Sequence, residues 1–325
     1  MEENLFEQRI DTETLNDAVI NIRNEIGKVI VGQHKMVDLL LIGLLCDGHI
    51  LIEGVPGVAK TLAAKLLAKI INADFSRIQF TPDLMPGDVL GTSVFNPREA
   101  AFEFKRGPIF SNIILIDEIN RAPAKTQSAL FEVMEERQVT IDGFTHFMDF
   151  PFLVLATQNP IEQEGTYRLP EAQLDRFLFK VVVDYPSLDE EVNILLNQQS
   201  LSQNDLLKHV EKIVSTAQIS EYRNIIKGVI IDPALVTFIA KIVNATRNNP
   251  SLFLGASPRA SLAILKASKA NAAIKGRDFV NPEDIIEMAV PVMRHRIILT
   301  PEKEMEGIST DELIHTIISN IEVPR

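Results

Sequence analysis

One cysteine, no tryptophan and only 6% aromatic residues leave this 325-residue chain short of several kinds of chemistry. A single thiol, Cys46, permits no internal disulfide and fits a reducing, cytoplasmic setting. With six scattered histidines and no second cysteine, the chain has no ligand set for zinc or a redox metal. Long apolar runs are missing too: the longest, "LLLIGLLC" at 39–46, is closed by Asp38 and Asp47. A membrane-spanning helix needs roughly 18 apolar residues, so this run is expected to be a core helix, without membrane insertion. The acidic start "MEENLFEQ" lacks the layout of a secretory signal. Basic residues are the minority sign, 32 against 44 acidic, for a net charge of −12, which disfavours nucleic acid as the primary partner. What is present is an ordinary globular balance, 46% hydrophobic and 23% charged, at a length that suggests about two domains.

Residues 54–61 read "GVPGVAKT". They follow a short apolar run, "HILIEG", and precede "TLAAKLLAKII", which has helical spacing and strong helix formers. A loop between a strand and a helix can wrap successive backbone N–H groups around phosphate oxygens, with the positive end of the helix behind them. The candidate cradle is Gly54, Val55, Pro56, Gly57, Val58, Ala59, Lys60, Thr61 and Leu62. Lys60 is expected to reach the β- and γ-phosphates of ATP, and Thr61 to offer its hydroxyl to Mg²⁺. Ala59 stands where such loops usually have glycine. If its φ is negative, alanine costs nothing; if positive, the strain is about 1 kcal/mol, and neither case removes an N–H donor.

Two further apolar runs end in polar residues. "IILIDE" at 113–118 reads as a strand buried on both faces, with Asp117 and Glu118 at its C-terminal end, where open α/β sheets bind ligands. Asp117 can hold Mg²⁺ and Glu118 can orient and deprotonate water, although an isolated run of this kind also reads as a solvated strand end. "FLVLATQNP" at 152–160 has strand character through Ala156 and brings Asn159 to a polar turn, where it could bond the γ-phosphate or the attacking water.

Taken in order, "GVPGVAKT", "IILIDE", "ATQNP", "LPEAQLDRF" and "GASPRA" resemble the AAA+ ATPases, and specifically their MoxR family. That branch characteristically writes its phosphate loop with alanine before lysine, so the resemblance makes Ala59 a family marker. The resemblance implies that Val31 and Gly32, in "VIVGQ", contact the adenine base. It assigns Arg176, in "LDRF", as an arginine finger acting on a neighbouring subunit, with Arg168 nearby as the competing candidate. Arg259, in "SPRA", resembles the sensor-2 arginine at the start of a lid helix, and whether it acts on its own nucleotide or a neighbour's stays open. The implied state is a homo-oligomeric ring, expected to be a hexamer, and the implied partner a protein with a von Willebrand A domain.

"RQVTIDGFTHFM" at 137–148 alternates around an Asp-Gly turn and reads as a hairpin. A second hairpin is expected within 92–110, with strands near 93–95 and 101–104. They resemble the pre-sensor-1 hairpin and the helix-2 insert of this branch, which face the pore and engage the client. From about residue 188 the spacing is helical, with helix starts expected at Asp232-Pro233, Ser257-Pro258 and Asn281-Pro282. The expected architecture is an α/β AAA+ core over 1–186, with a parallel sheet of five strands near 49–53, 75–80, 113–116, 152–156 and 178–183, followed by a helical lid over 187–325. The leading expectation is an ATP-driven remodelling, chaperone-like ATPase that matures a partner complex. The alternatives are a nucleotide-switched scaffold without productive turnover, which would have no use for Glu118, and a nucleic-acid motor, which the charge opposes.

Overall fold

The computed structural model describes residues 11–55, 57–159, 166–167, 169–200 and 207–324, with side chains left aside at 198–200. Its centre is a sheet of five parallel strands: β1 (His49–Gly54), β2 (Phe75–Gln79), β5 (Ile113–Asp117), β8 (Leu153–Gln158) and β9 (Phe177–Val183), in the order β2-β5-β8-β1-β9. All five lie at the expected positions. One difference matters: β8 runs through Gln158 instead of ending at Ala156, which keeps Thr157 within the strand.

Alternation along the strands divides the apolar side chains between two layers. Ile50, Ile52, Ile113, Leu115, Leu153 and Leu155 face one side; Leu51, Ile114, Ile116, Val154 and Ala156 face the other. The first layer is covered by α1 (Glu13–Gly27), α2 (His34–Leu45) and α3 (Lys60–Ile70), and its apolar cluster continues into the C-terminal helices. The second is covered by α4 (Pro86–Leu90) and α5 (Ala124–Glu136). The apolar run at 39–46 is the buried α2, with Cys46 as its C-cap. No described helix is long and apolar enough to cross a membrane.

Both hairpins are present, β3 (Gly91–Asn96) with β4 (Ala101–Arg106) and β6 (Gln138–Ile141) with β7 (Phe144–Phe147). They touch each other through a Ser93–Asp142 hydrogen bond and a stacked Phe104–His146 pair with centroids 4.4 Å apart. Phe95, Phe102, Phe144 and Phe147 remain exposed on them.

The short α6 (Glu171–Leu174) lies just before β9, and beyond β9 come α7 (Leu188–Ser200), α8 (Thr216–Gly228), α9 (Pro233–Arg247), α10 (Pro258–Ile274) and α11 (Pro282–Met293). The three Pro-marked starts are where α9, α10 and α11 begin, with Asp232, Ser257 and Asn281 as N-caps. A two-stranded ribbon of β10 (Leu252–Leu254) and β11 (Ile298–Leu299), too short to announce itself in the sequence, ties this region together. It is followed by α12 (Pro301–Met305) and α13 (Thr310–Ser319).

Candidate active site

The strand order sets the site. β5, β8 and β1 are neighbours, so Asp117 and Glu118, Asn159 and the 54–61 loop all leave the sheet at the same C-terminal edge. Register makes this specific: Ile116 pairs with Ala156, and Glu53 with Gln158, so Asp117 is level with Thr157 and Gly54 with Asn159.

Gly54 closes β1 with no room for a side chain, since a Cβ there would lie 2.7 Å from the carbonyl oxygen of Val183. Val55 is partly buried against the main core, and Gly57 turns with φ +92. Pro56 lies outside the described residues, as does Arg168. Ala59 has φ +59 and ψ +19 and is the N-cap of α3, so the strained of the two alternatives holds, at about 1 kcal/mol. Lys60 begins α3 and donates to the carbonyl of Gly54 at 2.6 Å. Partial burial pulls its pKa down, and the negative charges of Asp117, Glu118 and Glu53 push back. Residues 57–62, including Val58, Thr61 and Leu62, line a cleft with Lys65 and Leu207.

An apolar slot opens beside this cleft, lined by Val29, Ile30, Val31, Gln33, Val58, Leu62, Pro186 and Ile194. Its chemistry suits a flat heteroaromatic ring. Val31 is part of the lining. Gly32 instead supplies the turn, with φ +69, and a Cβ on it would sit 2.1 Å from a carboxylate oxygen of Glu190.

The carboxylates at the end of β5 are held by groups that the sequence did not single out. Asp117 accepts from Arg77 Nε at 2.6 Å and from the Thr157 hydroxyl at 3.2 Å. Thr157 in turn accepts the backbone N–H of Glu118 at 3.1 Å, fixing the left-handed turn at Glu118, φ +57. The Glu118 carboxylate accepts from Gln79 at 2.8 Å and pairs with Arg121 at 3.0 Å. Arg77 and Gln79 share one face of β2 by its two-residue period, the only sequence signal for them. No described cluster of three His, Cys, Asp or Glu forms a metal cage. One buried-edge carboxylate beside a hydroxyl fits Mg²⁺, which takes its other ligands from phosphates and water.

The two arginines lie elsewhere. Arg176 immediately precedes β9, at the opposite, N-terminal edge of the sheet, and donates to the carbonyl of Phe131 at 2.6 Å. Arg259, in the first turn of α10, reaches Glu135 at 3.1 Å, and Arg176 Nε lies 3.6 Å from the same carboxylate. Asp175 does not pair with Arg176; its partners are Arg296 and Ser257. The structure thus makes two groups: Lys60, Thr61, Asp117, Glu118 and Asn159 at one edge, Arg176 and Arg259 at the other.

A phosphate loop on a parallel five-stranded sheet, with an acidic pair on an adjacent strand, defines a P-loop ATPase of the AAA kind. Family models agree: residues 49–179 match the "ATPase family associated with various cellular activities (AAA)" and residues 244–317 the AAA lid domain. The chain is 44% identical over 324 residues to Chaperone MoxR1 of Mycobacterium tuberculosis, covering 97% of this chain and 84% of that protein. It is 46% identical over 299 residues to YeaC of Bacillus subtilis, covering 92% of each. A solved structure from Cytophaga hutchinsonii is 46% identical and superposes with a TM-score of 0.89 over 97% of both chains. The chain belongs to the MoxR family of AAA+ ATPases.

Proposed function

We propose that this ATPase hydrolyses Mg²⁺-bound ATP at a site built from two copies of the chain, in a chaperone-like cycle. The observation that carries the reading is the separation of the two groups. From His49, which pairs with Phe177 next to Arg176, to Gly54 of the phosphate loop, β1 climbs five residue steps, a span of roughly 16 Å at the usual strand rise. An arginine cannot cover that distance beside its own strand, but a second copy docked head-to-tail can present it. Arg259 shares Glu135 with Arg176, so it goes to the neighbour's nucleotide with it.

In this reading the adenine enters the slot beside Val31, the backbone N–H groups of the 54–62 loop, all but Pro56, hold the phosphates, and Lys60 releases the Gly54 carbonyl to reach them. Thr61 and Asp117 would hold Mg²⁺, which would neutralise charge on the phosphate oxygens. Glu118 orients and deprotonates the attacking water, and Asn159 contacts that water or the γ-phosphate. A head-to-tail contact closes into a ring, for which we expect six subunits. We place the core in 1–186 and the lid in 187–325. The exposed phenylalanines of the paired hairpins are suited to an apolar client segment. By likeness to the chaperone of M. tuberculosis, the work is remodelling of a partner protein, with a von Willebrand A domain protein as the expected collaborator, in the cytoplasm.

Single-turnover hydrolysis of Mg²⁺·ATP is the test. Glu118→Gln should slow it by on the order of 10² to 10⁴-fold while nucleotide binding persists. Equal rates would reduce the protein to a nucleotide-switched scaffold.

A further inference from the structure

Arg296 lies between α11 and β11, about 120 residues from the loop it touches, and only 3% of its side chain is exposed. Its guanidinium donates from Nε to Asp175 Oδ1 at 2.7 Å, and from Nη2 to the carbonyls of Asp175 at 3.0 Å and Phe177 at 2.5 Å. Nη1 donates to the carbonyl of Leu178 at 3.2 Å and also to that of Val292. The neighbouring His295 ring bonds the Phe177 carbonyl at 3.0 Å. These acceptors bracket Arg176 in the chain. The second oxygen of Asp175 accepts from the Ser257 hydroxyl at 2.9 Å, and that hydroxyl accepts the backbone N–H of Arg259 at 3.2 Å. One buried guanidinium therefore fixes the backbone on both sides of Arg176 and, through Asp175 and Ser257, the start of the helix that carries Arg259.

We infer that Arg296 and Asp175 are positioning residues that hold Arg176 and Arg259 at one spacing and orientation for the neighbour's nucleotide. This rests on the two-copy site proposed above. A planar fork with donors committed in several directions sets position as well as charge, and an ammonium cannot reproduce it. The network touches none of the groups at the phosphate-loop edge of its own chain. Loss of Arg296 should therefore damage what a subunit gives its neighbour and spare what it does with its own nucleotide.

Mixed assemblies separate the two roles. Arg296→Lys and Asp175→Asn, each assayed alone, should lose ATPase activity on the order of 10- to 100-fold, the usual consequence of misplacing a charge that acts in the transition state. Each should regain activity when mixed with Lys60→Ala subunits, which cannot use ATP but carry intact arginines. Neither should regain it with Arg176→Ala subunits. Binding of a fluorescent ATP analogue by each variant should match the unsubstituted chain. Recovery with Arg176→Ala instead of Lys60→Ala, no recovery with either, unchanged activity, or failure of both variants to fold would overturn the assignment. The control is Lys60→Ala mixed with Arg176→Ala. If that pair stays inactive, the two-copy site fails; if it recovers and the Arg296 and Asp175 variants do not, only the positioning role fails.

Discussion

His49 offers a quantitative test of how the arginine edge is braced. It begins β1, is 4% exposed, and bonds in two directions: its Nδ1 accepts the backbone N–H of Val154 at 3.0 Å, and its Nε2 faces the carbonyl of Met134 at 3.1 Å. Nδ1 must carry a lone pair, so the neutral tautomer with hydrogen on Nε2 is the one that fits. A second proton would point at the Val154 N–H. Burial, together with the nearby Arg137 charge, pushes the pKa down to about 3. Because the folded value is depressed, the stabilisation is complete above the unfolded value of about 6.5 and drains away as pH falls from there toward 3. At pH 5.5 an unfolded His49 is about nine-tenths protonated, and linkage removes about 1.4 kcal/mol of stability. His49→Asn keeps an acceptor near Nδ1 but does not titrate. It should be less stable at pH 7.5 by about 1–3 kcal/mol, for the unpaired Met134 carbonyl and the lost packing on Phe152. Urea denaturation at pH 7.5 and 5.5 reads the difference: the unsubstituted chain should lose about 1.4 kcal/mol more between the two than the variant does. His295 and the carboxylates are common to both and cancel. Equal losses would mean that His49 is not held neutral. Since Met134 precedes Glu135, the same acid step is expected to loosen the carboxylate between Arg176 and Arg259.

Ala59 and Gln79 give two further expectations. Ala59→Gly relieves a positive φ worth about 1 kcal/mol but adds unfolded-state freedom of about 0.4–1 kcal/mol, so stability should be unchanged or slightly raised, with phosphate binding retained. Ala59→Val should cost more than about 1 kcal/mol, and a destabilising glycine in urea melts would refute the strain argument. Gln79→Leu removes the amide that holds Glu118 to β2 and leaves the carboxylate its ion pair with Arg121. We expect altered kcat with little change in KM, and an unchanged kcat would show that the Gln79 contact does not govern the base.

The sheet, the helix starts and the phosphate loop were legible because each is written locally. Strand alternation, proline after a capping residue, and a glycine-lysine-threonine spacing all act over a few residues. Even there the sequence left Ala59 undecided, since its φ depends on how the loop closes against α3. The bracing groups were not legible. Thr157 fell outside the expected strand, which ended at Ala156, and β8 is two residues longer, reaching Gln158. Arg77 and Gln79 are ordinary exposed-face residues of an edge strand, and only the pairing of β2 with β5 brings them to Asp117 and Glu118. Glu135 and Arg296 meet the arginines across long chain separations, which no local pattern records. Arg176 and Arg259 were singled out by resemblance, but their meeting at Glu135 is a fact of the folded chain.

The most direct measurement is ATP hydrolysis by an equimolar mixture of Lys60→Ala and Arg176→Ala subunits, each inactive alone. If one copy supplies the loop and the next the arginine, random pairing restores an intact site at about a quarter of the contacts, and activity should return to that order. A mixture no more active than its two components would contradict the account.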